Sequence, residues 1–541
     1  MAHPVSQKLE AGWVVGAITI LGAVLRMWHL GDHPLWSDEF ATLVFSLGHG
    51  FGGIPLDQVV PTSRLLEVLT VQDTLGPGAT WERLLTESNH PPLYFLLSNG
   101  WIHLWQGSGA VVDLGVARSL PALFGVLAIP GTYVLVKKVS RERFLPLVAP
   151  LLMAVSPFGI YLSQETRHYT LGLVGAIASL ICWTIVLRHW DCPKRLPRWL
   201  PWVWIIVNGL GIATHFFVGL LLLAQGIALG IVALYRGRPQ PWKSLAIVGL
   251  GTAATAITWV PYAQNIPKEG LTDWLAETVT WTTGFEGIAR FIAWIVTMGV
   301  MLPVENQPVA VVVISGGMMG VAAGLMVTGL VFAWRSRRQF DPATWQILSG
   351  FGILVGAIAA VMVGIVLALG KDVTVAARYQ FVTLPVMVVL MAAGWWGLWQ
   401  RWKWTAIAWL FVALVSGGCV AQGLGFQRPD RPDLMVEFLV QVTGDRPDAA
   451  STTIATVYKN HEQTGEMLGL AWEWRSQKLT QNLNKEPEFI LAKKAPDHPA
   501  PNDTLREAIA NLPQPLDLWL VHFAAAASVS WKSCGSPTTH G

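Results

Sequence analysis

An uninterrupted apolar run at residues 345–370, WQILSGFGILVGAIAAVMVGIVLALG, decides the class of fold to which this chain belongs. The run contains no charged side chain, and a transmembrane helix needs about 20 mostly apolar residues. Ten similar runs occur at 11–30, 118–136, 144–163, 169–187, 199–214, 216–235, 243–262, 308–334, 380–400 and 404–422. The sequence therefore predicts an all-α polytopic membrane protein with about eleven transmembrane helices.

The composition supports this fold class. Of the 541 residues, 52% are hydrophobic and 13% are charged, whereas a soluble domain carries about 25% charged residues. The net charge is only +3, and the basic residues form short clusters between apolar runs. This pattern is typical of membrane topology and excludes a nucleic-acid-binding protein.

Two shorter stretches, 91–106 and 287–303, are interrupted by polar groups or are too short to be read directly as spans. The positive-inside rule favours a cytoplasmic N-terminus with neither stretch crossing the membrane. We therefore predict juxtamembrane or re-entrant helices there, and counting both as spans would raise the total to thirteen. The inner loops then hold Lys8, Lys137, Lys138, Arg141, Arg143, Arg188, Lys194, Arg195, Arg198, Arg236, Arg238, Lys243, Arg335, Arg337, Arg338, Arg401 and Lys403. The outer loops hold only Arg64, Arg83, Arg118, Arg167, Lys268, Arg290, Lys371 and Arg378.

This topology divides the chain into a transmembrane domain, 1–425, and an extracytoplasmic C-terminal domain, 428–541. The transmembrane domain has two long outer segments, 31–117 and 263–307. In the tail we predict helices at Leu434–Val442 and Glu462–Arg475, strands at Thr452–Tyr458, Glu488–Ala492 and Leu516–His522, and disorder from Ser530 to Gly541. Alternating strands and helices indicate a small α/β domain.

Two adjacent carboxylates follow the first span, in Trp36-Ser-Asp-Glu-Phe40. An ionisable group at a membrane surface is a candidate functional residue. Asp38 and Glu39 are therefore candidates, although Ser37 or Asp38 is equally suited to cap a helix entering 40–46. A cap would also hold a catalytic carboxylate in place.

Other outer-face candidates are found in Asn89-His-Pro-Pro-Leu-Tyr94 and Ser163-Gln-Glu-Thr-Arg-His-Tyr169. His90 is placed to donate to a phosphate, but the prolines also suit an ordinary helix start. Arg167 is suited to bind a phosphate or a carboxylate through two hydrogen bonds. The alternative is a solvated turn in which Glu165, Arg167 and His168 pair with one another.

Two further outer-face groups complete the set. Arg378-Tyr379 stands at the mouth of the tenth span, where an arginine commonly reaches toward the headgroups without any catalytic role. His215 lies at the turn joining two apolar runs, where a lone histidine is usually a turn residue.

In order and spacing, these motifs resemble GT-C glycosyltransferases, specifically the family 39 group of protein O-mannosyltransferase-like enzymes and the lipid A aminoarabinose transferases. The resemblance covers about residues 10–425. It is carried by Arg26, Leu30 and Pro34–Phe40, by His90–Tyr94, by Ala117-Arg-Ser-Leu-Pro-Ala-Leu-Phe-Gly125, by Ser163–Tyr169 and by Ala377-Arg-Tyr379. The chain lacks the large β-trefoil insertion of eukaryotic protein mannosyltransferases, which argues against a protein acceptor.

The resemblance implies a polyprenyl-phosphate sugar donor, with Asp38 as the catalytic base. It implies that His90, Arg167 and Arg378 with Tyr379 hold the donor phosphate. Supporting roles fall to Glu165, His168, Tyr169, Arg118 and His215. Glu39 would orient the acceptor, support Asp38 or bind a cation, and these two carboxylates would suit Mg²⁺ or Mn²⁺ if a metal is needed.

Physical reasoning points to the same chemistry. A departing lipid phosphate gains negative charge that arginines would stabilise. An acceptor hydroxyl needs a base as its bond to the sugar forms. We therefore expect an inverting glycosyltransferase that acts on an envelope glycolipid, glycan or protein hydroxyl, in the bacterial inner membrane and facing outward. The alternatives are a lipid or glycan flippase, or a non-enzymatic partner subunit of a transferase.

The topology is tested by cysteine labelling in a background without the native cysteines. A cysteine placed between residues 31 and 90 should react with an impermeant reagent from outside, and one near Arg238 should not, because the basic loops remain inside. Equal labelling of both positions from outside would refute the eleven-span arrangement.

Overall fold

The structure, a computed structural model, describes residues 4–190, 196–236, 242–259, 275, 281–426, 428, 430–444, 451–477, 486–495 and 497–522. Several predictions fall outside these residues. They are the part of the second outer segment at 263–274 and 276–280, the basic residues Lys194, Arg195, Arg238 and Lys268, and the tail from Ser530 to Gly541.

Helices account for most of the described chain. They are α1 (Pro4–Met27), α2 (Ser37–Ser46), α3 (Thr62–Leu65), α4 (Pro77–Glu87), α5 (Leu93–Trp105), α6 (Leu114–Val139), α7 (Leu145–Val155), α8 (Pro157–Ser163), α9 (Tyr169–His189), α10 (Leu200–Thr214), α11 (Val218–Arg236), α12 (Trp242–Ile257), α13 (Trp281–Gly299), α14 (Val309–Arg335), α15 (Pro342–Leu369), α16 (Leu384–Arg401), α17 (Lys403–Ala421), α18 (Pro432–Gly444), α19 (His461–Ser476) and α20 (Pro501–Ile509). The strands are β1 (Val59–Pro61), β2 (Ser451–Tyr458), β3 (Glu488–Lys493) and β4 (Leu516–Leu520).

Each of the eleven predicted runs contains a helix, which confirms an integral membrane protein of the predicted class. Within the described residues, seven helices are long and apolar enough to cross a membrane: α1, α6, α9, α11, α14, α15 and α17. The bent pair α7 and α8 makes an eighth. The other three runs correspond to α10, α12 and α16, of 15, 16 and 18 residues. A 15-residue helix extends about 22 Å, less than the roughly 30 Å of the hydrocarbon core.

The third predicted span is broken into two helices. The axes of α7 and α8 meet at 54°, with Ser156 between them and Pro157 starting α8. Proline cannot donate the hydrogen bond that would continue α7, so the helix ends there. The Ser156 hydroxyl caps the new helix by accepting from the Gly159 N–H at 3.2 Å, and it donates to the Met298 carbonyl at 2.7 Å.

A buried arginine stabilises this break. Arg26 of α1 is fully buried, and its guanidinium donates to the carbonyls of Met153 and Ala154, both at 2.8 Å. These carbonyls belong to the last turn of α7, which has no continuing helix to satisfy it and carries the negative end of the helix dipole. A Cβ at Gly125 or Gly159 would approach within 3.1 Å of the guanidinium, so these glycines make room for it.

A polar cluster joins α9, α10, α11 and α12. The Ser179 hydroxyl accepts from Trp204 Nε1 at 2.9 Å and lies 2.9 Å from Asn208 Oδ1 and 3.2 Å from Gln225 Oε1. Asn208 also donates to the Thr252 hydroxyl at 3.0 Å. Hydrogen bonds between buried polar side chains hold membrane helices together.

The described residues form two compact units. The transmembrane unit comprises Met1–His33, Phe45–Gly48 and Val71–Arg428, and the C-terminal unit comprises Pro34–Val44, His49–Thr70 and Pro429–Gly541. The C-terminal unit is therefore built from the tail together with much of the first long outer segment. The sequence gives no sign of this, because the two stretches are almost 400 residues apart.

The C-terminal unit contains a four-stranded sheet in the order β1-β3-β2-β4. β2 pairs in parallel with β3 and β4, and β1 pairs antiparallel with β3, placing Val59 opposite Ile490. The predicted α/β domain is confirmed: α18, α19, β2, β3 and β4 match the predicted elements to within a few residues. β1 and α20 were not predicted, because a strand of three residues and a mostly polar helix of nine residues are too short to give a clear local signal.

Candidate active site

The loop between α8 and α9 presents three of the predicted site residues, Glu165, Arg167 and His168. Glu165 and His168 are fully buried, and Arg167 is only 3% exposed. The alternative of a solvated turn is therefore wrong, because water does not reach these groups. A charged group in such surroundings is costly unless other charges or dipoles stabilise it.

Arg167 lies against two of the other predicted residues. Its Nη2 is 3.4 Å from His90 Nε2 and donates to the Tyr169 hydroxyl at 3.4 Å. Its guanidinium also lies 5.5 Å from the centre of the Tyr169 ring, within cation–π range. His90 is held in place because Pro92 starts α5 just beyond it, and its backbone N–H donates to the Ser88 hydroxyl at 3.2 Å.

Histidine rings continue this cluster. The ring centre of His168 lies 5.2 Å from that of His90 and 4.4 Å from that of His215. His215 ends α10, and its Nδ1 accepts from the Phe217 N–H at 3.0 Å. The predicted turn position of His215 is correct, and the turn brings this residue to the cluster.

Burial sets the charge of these histidines. It lowers the pKa of His168 well below its ordinary 6.5, and His215, Arg167 and His90 lower it further. Burial, followed by His90 and Arg167, likewise holds the pKa of His215 well below its usual range. Both rings are therefore neutral at pH 7, and a neutral imidazole carries one donor and one acceptor. Within the described chain, neither ring nitrogen of His168 has a hydrogen-bond partner.

Arg378 and Tyr379 are connected to the histidine cluster through aromatic contacts. They lie on a short 3-10 helix, Ala377–Val382, and the Arg378 guanidinium is 5.3 Å from the Tyr379 ring centre. The ring centres of Tyr379 and Phe217 lie 4.6 Å apart, and those of Phe217 and His215 lie 5.0 Å apart. Arg378 is partly exposed, as expected for an arginine at the end of a span.

Two charged residues that the sequence analysis did not assign to the site adjoin it. Arg428 Nε lies 3.9 Å from Glu165 Oε1, so the residue interpreted as the start of a linker forms an ion pair with a residue of the loop between α8 and α9. Asp372 is fully buried, pairs with Arg290 of α13 and accepts from the Thr374 hydroxyl at 2.6 Å. This pair anchors the segment that leads to Arg378.

Arg118 is the predicted residue that the structure places elsewhere. Its guanidinium donates to the carbonyls of Leu30 at 3.1 Å and His33 at 2.8 Å. These bonds tie α6 to the chain leaving α1. Arg118 is fully buried, so we assign it a structural role.

The two adjacent carboxylates belong to the C-terminal unit. α2 begins at Ser37, three residues earlier than predicted, so Asp38 and Glu39 lie in its first turn. The prediction that Ser37 or Asp38 caps this helix is therefore wrong, because both residues lie within it. The Ser37 N–H donates to Asp430 Oδ2 at 2.9 Å. Carboxylates in the first turn stabilise a helix through its dipole. Asp38 is partly exposed, whereas Glu39 is fully buried.

The described residues contain no group of three or more His, Cys, Asp or Glu side chains arranged to hold a metal ion. Asp38 and Glu39 supply two carboxylates, and protein Mg²⁺ sites commonly use one or two with substrate phosphates completing the octahedral shell. A metal therefore has possible ligands here, but the described side chains do not form a dedicated cage.

No protein-family model and no curated protein matches the chain. Its fold is similar to the oligosaccharyltransferase AglB from Archaeoglobus fulgidus in complex with an inhibitory peptide and a dolichol-phosphate, at 12% identity and a TM-score of 0.48. That alignment covers 86% of this chain and 64% of AglB, so the chain spans less than two thirds of the archaeal enzyme.

The fold is also similar to ArnT from Cupriavidus metallidurans bound to undecaprenyl phosphate, at 12% identity and a TM-score of 0.47. This alignment covers 95% of the chain and 90% of ArnT. At these identities, the two alignments describe a likeness of fold alone.

The buried histidines predict an acid-sensitive stability. In the unfolded chain His168 takes up a proton near pH 6.5, whereas in the folded protein its pKa lies well below that value. The unfolded state therefore binds more protons, so the His168 contribution is fully present above pH 6.5 and is lost as the pH falls toward the folded pKa. The unfolding temperature in detergent should drop from about pH 7.5 to about pH 5.5, and His168→Gln should reduce that drop.

Phe95→Leu is the matched control, because Phe95 packs near His168 at 6.1 Å but does not titrate. It should lower the unfolding temperature at both pH values without changing their difference. An identical pH dependence in His168→Gln and the unsubstituted protein would contradict the neutral buried state.

Proposed function

We propose that the chain is an inverting glycosyltransferase that moves a sugar from a polyprenyl-phosphate donor to a hydroxyl on an extracytoplasmic acceptor. The observation that carries the proposal is the buried cluster around Arg167. In this cluster, the permanently charged Arg167 guanidinium lies beside uncharged hydrogen-bond donors. A membrane protein with such a cluster has the means to bind a phosphate that belongs to a lipid. The motif resemblance points to the same donor.

Arg167 is assigned to the donor phosphate because an arginine fork matches phosphate oxygens geometrically. His90 and the neutral His168 and His215 add N–H donors without adding charges that repel one another. Arg378, stacked on Tyr379 at 5.3 Å, supplies a second guanidinium at the more exposed end. Glu165 and Arg428 form an ion pair in which Oε1 and Nε lie 3.9 Å apart. Their charges alter the electrostatic potential around the phosphate-binding groups.

The proposed reaction is a single displacement. The acceptor oxygen forms a bond to the anomeric carbon as the bond from that carbon to the phosphate oxygen breaks. The bonding pair leaves with the polyprenyl phosphate, whose growing negative charge is stabilised by Arg167 and Arg378. The acceptor hydroxyl gives its proton to the Asp38 carboxylate, which later releases it to water.

Asp38 suits the base because its side chain is partly exposed, whereas Glu39 is fully buried. Glu39 is assigned to the support of Asp38 within the first turn of α2. No step is assigned to Mg²⁺ or Mn²⁺, because the described side chains do not form a dedicated metal cage.

The distribution of basic residues supports an orientation with Asp38 outside the membrane. We place the protein in a bacterial inner membrane, acting on a cell-envelope glycolipid, glycan or protein hydroxyl. The test is an assay of purified protein with a polyprenyl-phosphate hexose or pentose and envelope acceptor, scored by release of free polyprenyl phosphate. A protein that moves such lipids between leaflets but never cleaves the sugar–phosphate bond would be a flippase.

Asp38→Asn should leave a folded protein that has lost about 10²–10⁴-fold in turnover, the usual contribution of a general base. The measurement is the rate of polyprenyl phosphate release with saturating donor and acceptor. Asp73→Asn changes an exposed aspartate of the same long outer segment and should leave the rate unchanged. Near-normal turnover of Asp38→Asn would remove Asp38 from the mechanism.

Arg167→Ala should lower both donor affinity and kcat, because the charge on the phosphate grows as it leaves. Arg167→Lys should recover only part of the loss, since lysine keeps the charge but lacks the two-pronged donor geometry. Donor binding and single-turnover rates measure the two effects separately. The control is Arg83→Lys, which changes an exposed arginine paired with Glu87 at 3.1 Å. A loss equal to that of Arg167→Lys would show that the effect is not specific to the Arg167 site, because both substitutions keep the charge.

A further inference from the structure

The C-terminal unit contains a cleft of about 240 Å³ to which the proposed mechanism assigns no role, although Trp36, Ser37 and Phe40 of the first motif line it. Trp36 and Phe40, at the start of α2, form one wall, and Asp430 and Met435 form another. Glu466 of α19 and His522, just beyond β4, complete its polar rim. The cleft is thus built jointly by the first outer segment and the tail.

Small residues of α19 let Ser37 and Pro432 approach the helix closely at the cleft. Gly465 and Gly469 are four residues apart and therefore share one face of the helix. A Cβ at Gly465 would lie 3.0 Å from the Ser37 Cβ, and one at Gly469 would lie 3.3 Å from the Pro432 Cβ. Larger residues would crowd this wall, so the helix backbone itself borders the cavity.

The rim of the cleft is acidic. Asp430 accepts from the Ser37 N–H at 2.9 Å, and Glu466 lies 3.0 Å from His522 Nδ1. Arg431 also lines the cleft, but its guanidinium is bound to Asp433 through two hydrogen bonds of 2.9 and 2.7 Å. Arg431 is therefore paired with Asp433, and the carboxylates of Asp430 and Glu466 dominate the charge of the rim.

The carboxylates also act on one another. Burial raises the pKa of the Glu462 carboxyl, and Glu466, Asp430 and Asp38 raise it further, against a smaller opposing effect of His522. A carboxyl pKa rises in this way where negative charge is concentrated. Asp38, the proposed base, therefore lies within electrostatic range of Glu462, and its chain neighbour Ser37 lines the cleft.

This chemistry selects among ligands. Carboxylates accept hydrogen bonds and offer no donors when ionised, so they recognise hydroxyl and ammonium groups and repel phosphates. Aromatic and apolar walls with a few placed polar groups are typical of small-molecule sites. A polyhydroxylated ring with an apolar face meets both requirements, whereas an anionic group does not.

We propose that this cleft binds the acceptor and that the acceptor is a carbohydrate that is neutral or carries an amine, without a phosphate near the reacting hydroxyl. The assignment as acceptor rests on the proposed glycosyltransferase function. The proposal narrows the acceptor from any compound of the cell envelope with a hydroxyl group to carbohydrates. It also assigns the C-terminal unit a part in substrate recognition.

The test measures binding of three probes to the full-length protein in nanodiscs, without donor, by saturation-transfer NMR and calorimetry. The probes are a glucosamine trimer, an N-acetylglucosamine trimer and glucose 1-phosphate. Both trimers should bind and glucose 1-phosphate should not. Glu466→Gln should weaken binding of the glucosamine trimer by about 10- to 150-fold, the scale of one hydrogen bond to a charged group, and should affect the N-acetylated trimer less.

His522→Ala should strengthen binding of the glucosamine trimer, because it removes the ring whose Nδ1 lies 3.0 Å from the Glu466 carboxylate and competes with a ligand for it. Glu437→Gln is the matched control, an exposed carboxylate on α18 that does not line the cleft; it should change none of the affinities. Thermal unfolding of each variant verifies that it is folded.

Equal binding of glucose 1-phosphate, equal effects of Glu466→Gln and Glu437→Gln, or selective binding of a serine-containing tripeptide would each overturn the proposal. Donor cleavage with none of the expected probe selectivity would refute the acceptor class and leave the transferase function standing. Probe binding with the expected selectivity, but no donor cleavage with any sugar, would uphold the carbohydrate site and refute the transferase function.

Discussion

The contact between Arg26 and the end of α7 is the interaction on which the break between α7 and α8, and with it the loop before α9, depends. Two carbonyls of a helix terminus accept from one fully buried guanidinium at 2.8 Å each. A membrane interior has no water to satisfy these carbonyls, so Arg26 stabilises the end of α7 at the break that Pro157 introduces. The 54° bend then directs α8 toward the loop that carries Glu165, Arg167 and His168.

Around that loop, burial controls which groups carry charge. His168 and His215 have pKa values well below 6.5 because water is excluded and Arg167 is close. Arg167 therefore remains an obligatory cation among neutral hydrogen-bonding rings. Such an arrangement is suited to an anionic ligand, whose arrival would be favoured by the charge and by the uncharged donors together. The same exclusion of water strengthens every electrostatic contact in the cluster.

The C-terminal unit follows a different principle, since its sheet is completed from a distant part of the chain. β1 of the first outer segment covers the edge of β3 by antiparallel pairing, with Val60 opposite Phe489. An uncovered sheet edge presents unpaired backbone groups, so this short strand protects it. The pairing also brings α2, with Asp38 and Glu39, into the same unit as the tail.

The sequence by itself determined the helical membrane class, the positions of the apolar helices and the α/β tail, because hydrophobic runs and strand periodicity are local signals. It also singled out Arg167, His90 and His215 as separate candidates. Only the tertiary structure joined them, with His168 and His215 rings 4.4 Å apart. It also revealed the roles of Arg428 and Asp372, the structural task of Arg118 and the shared sheet with β1. These features depend on contacts between residues far apart in the chain, and composition and spacing carry no record of such contacts.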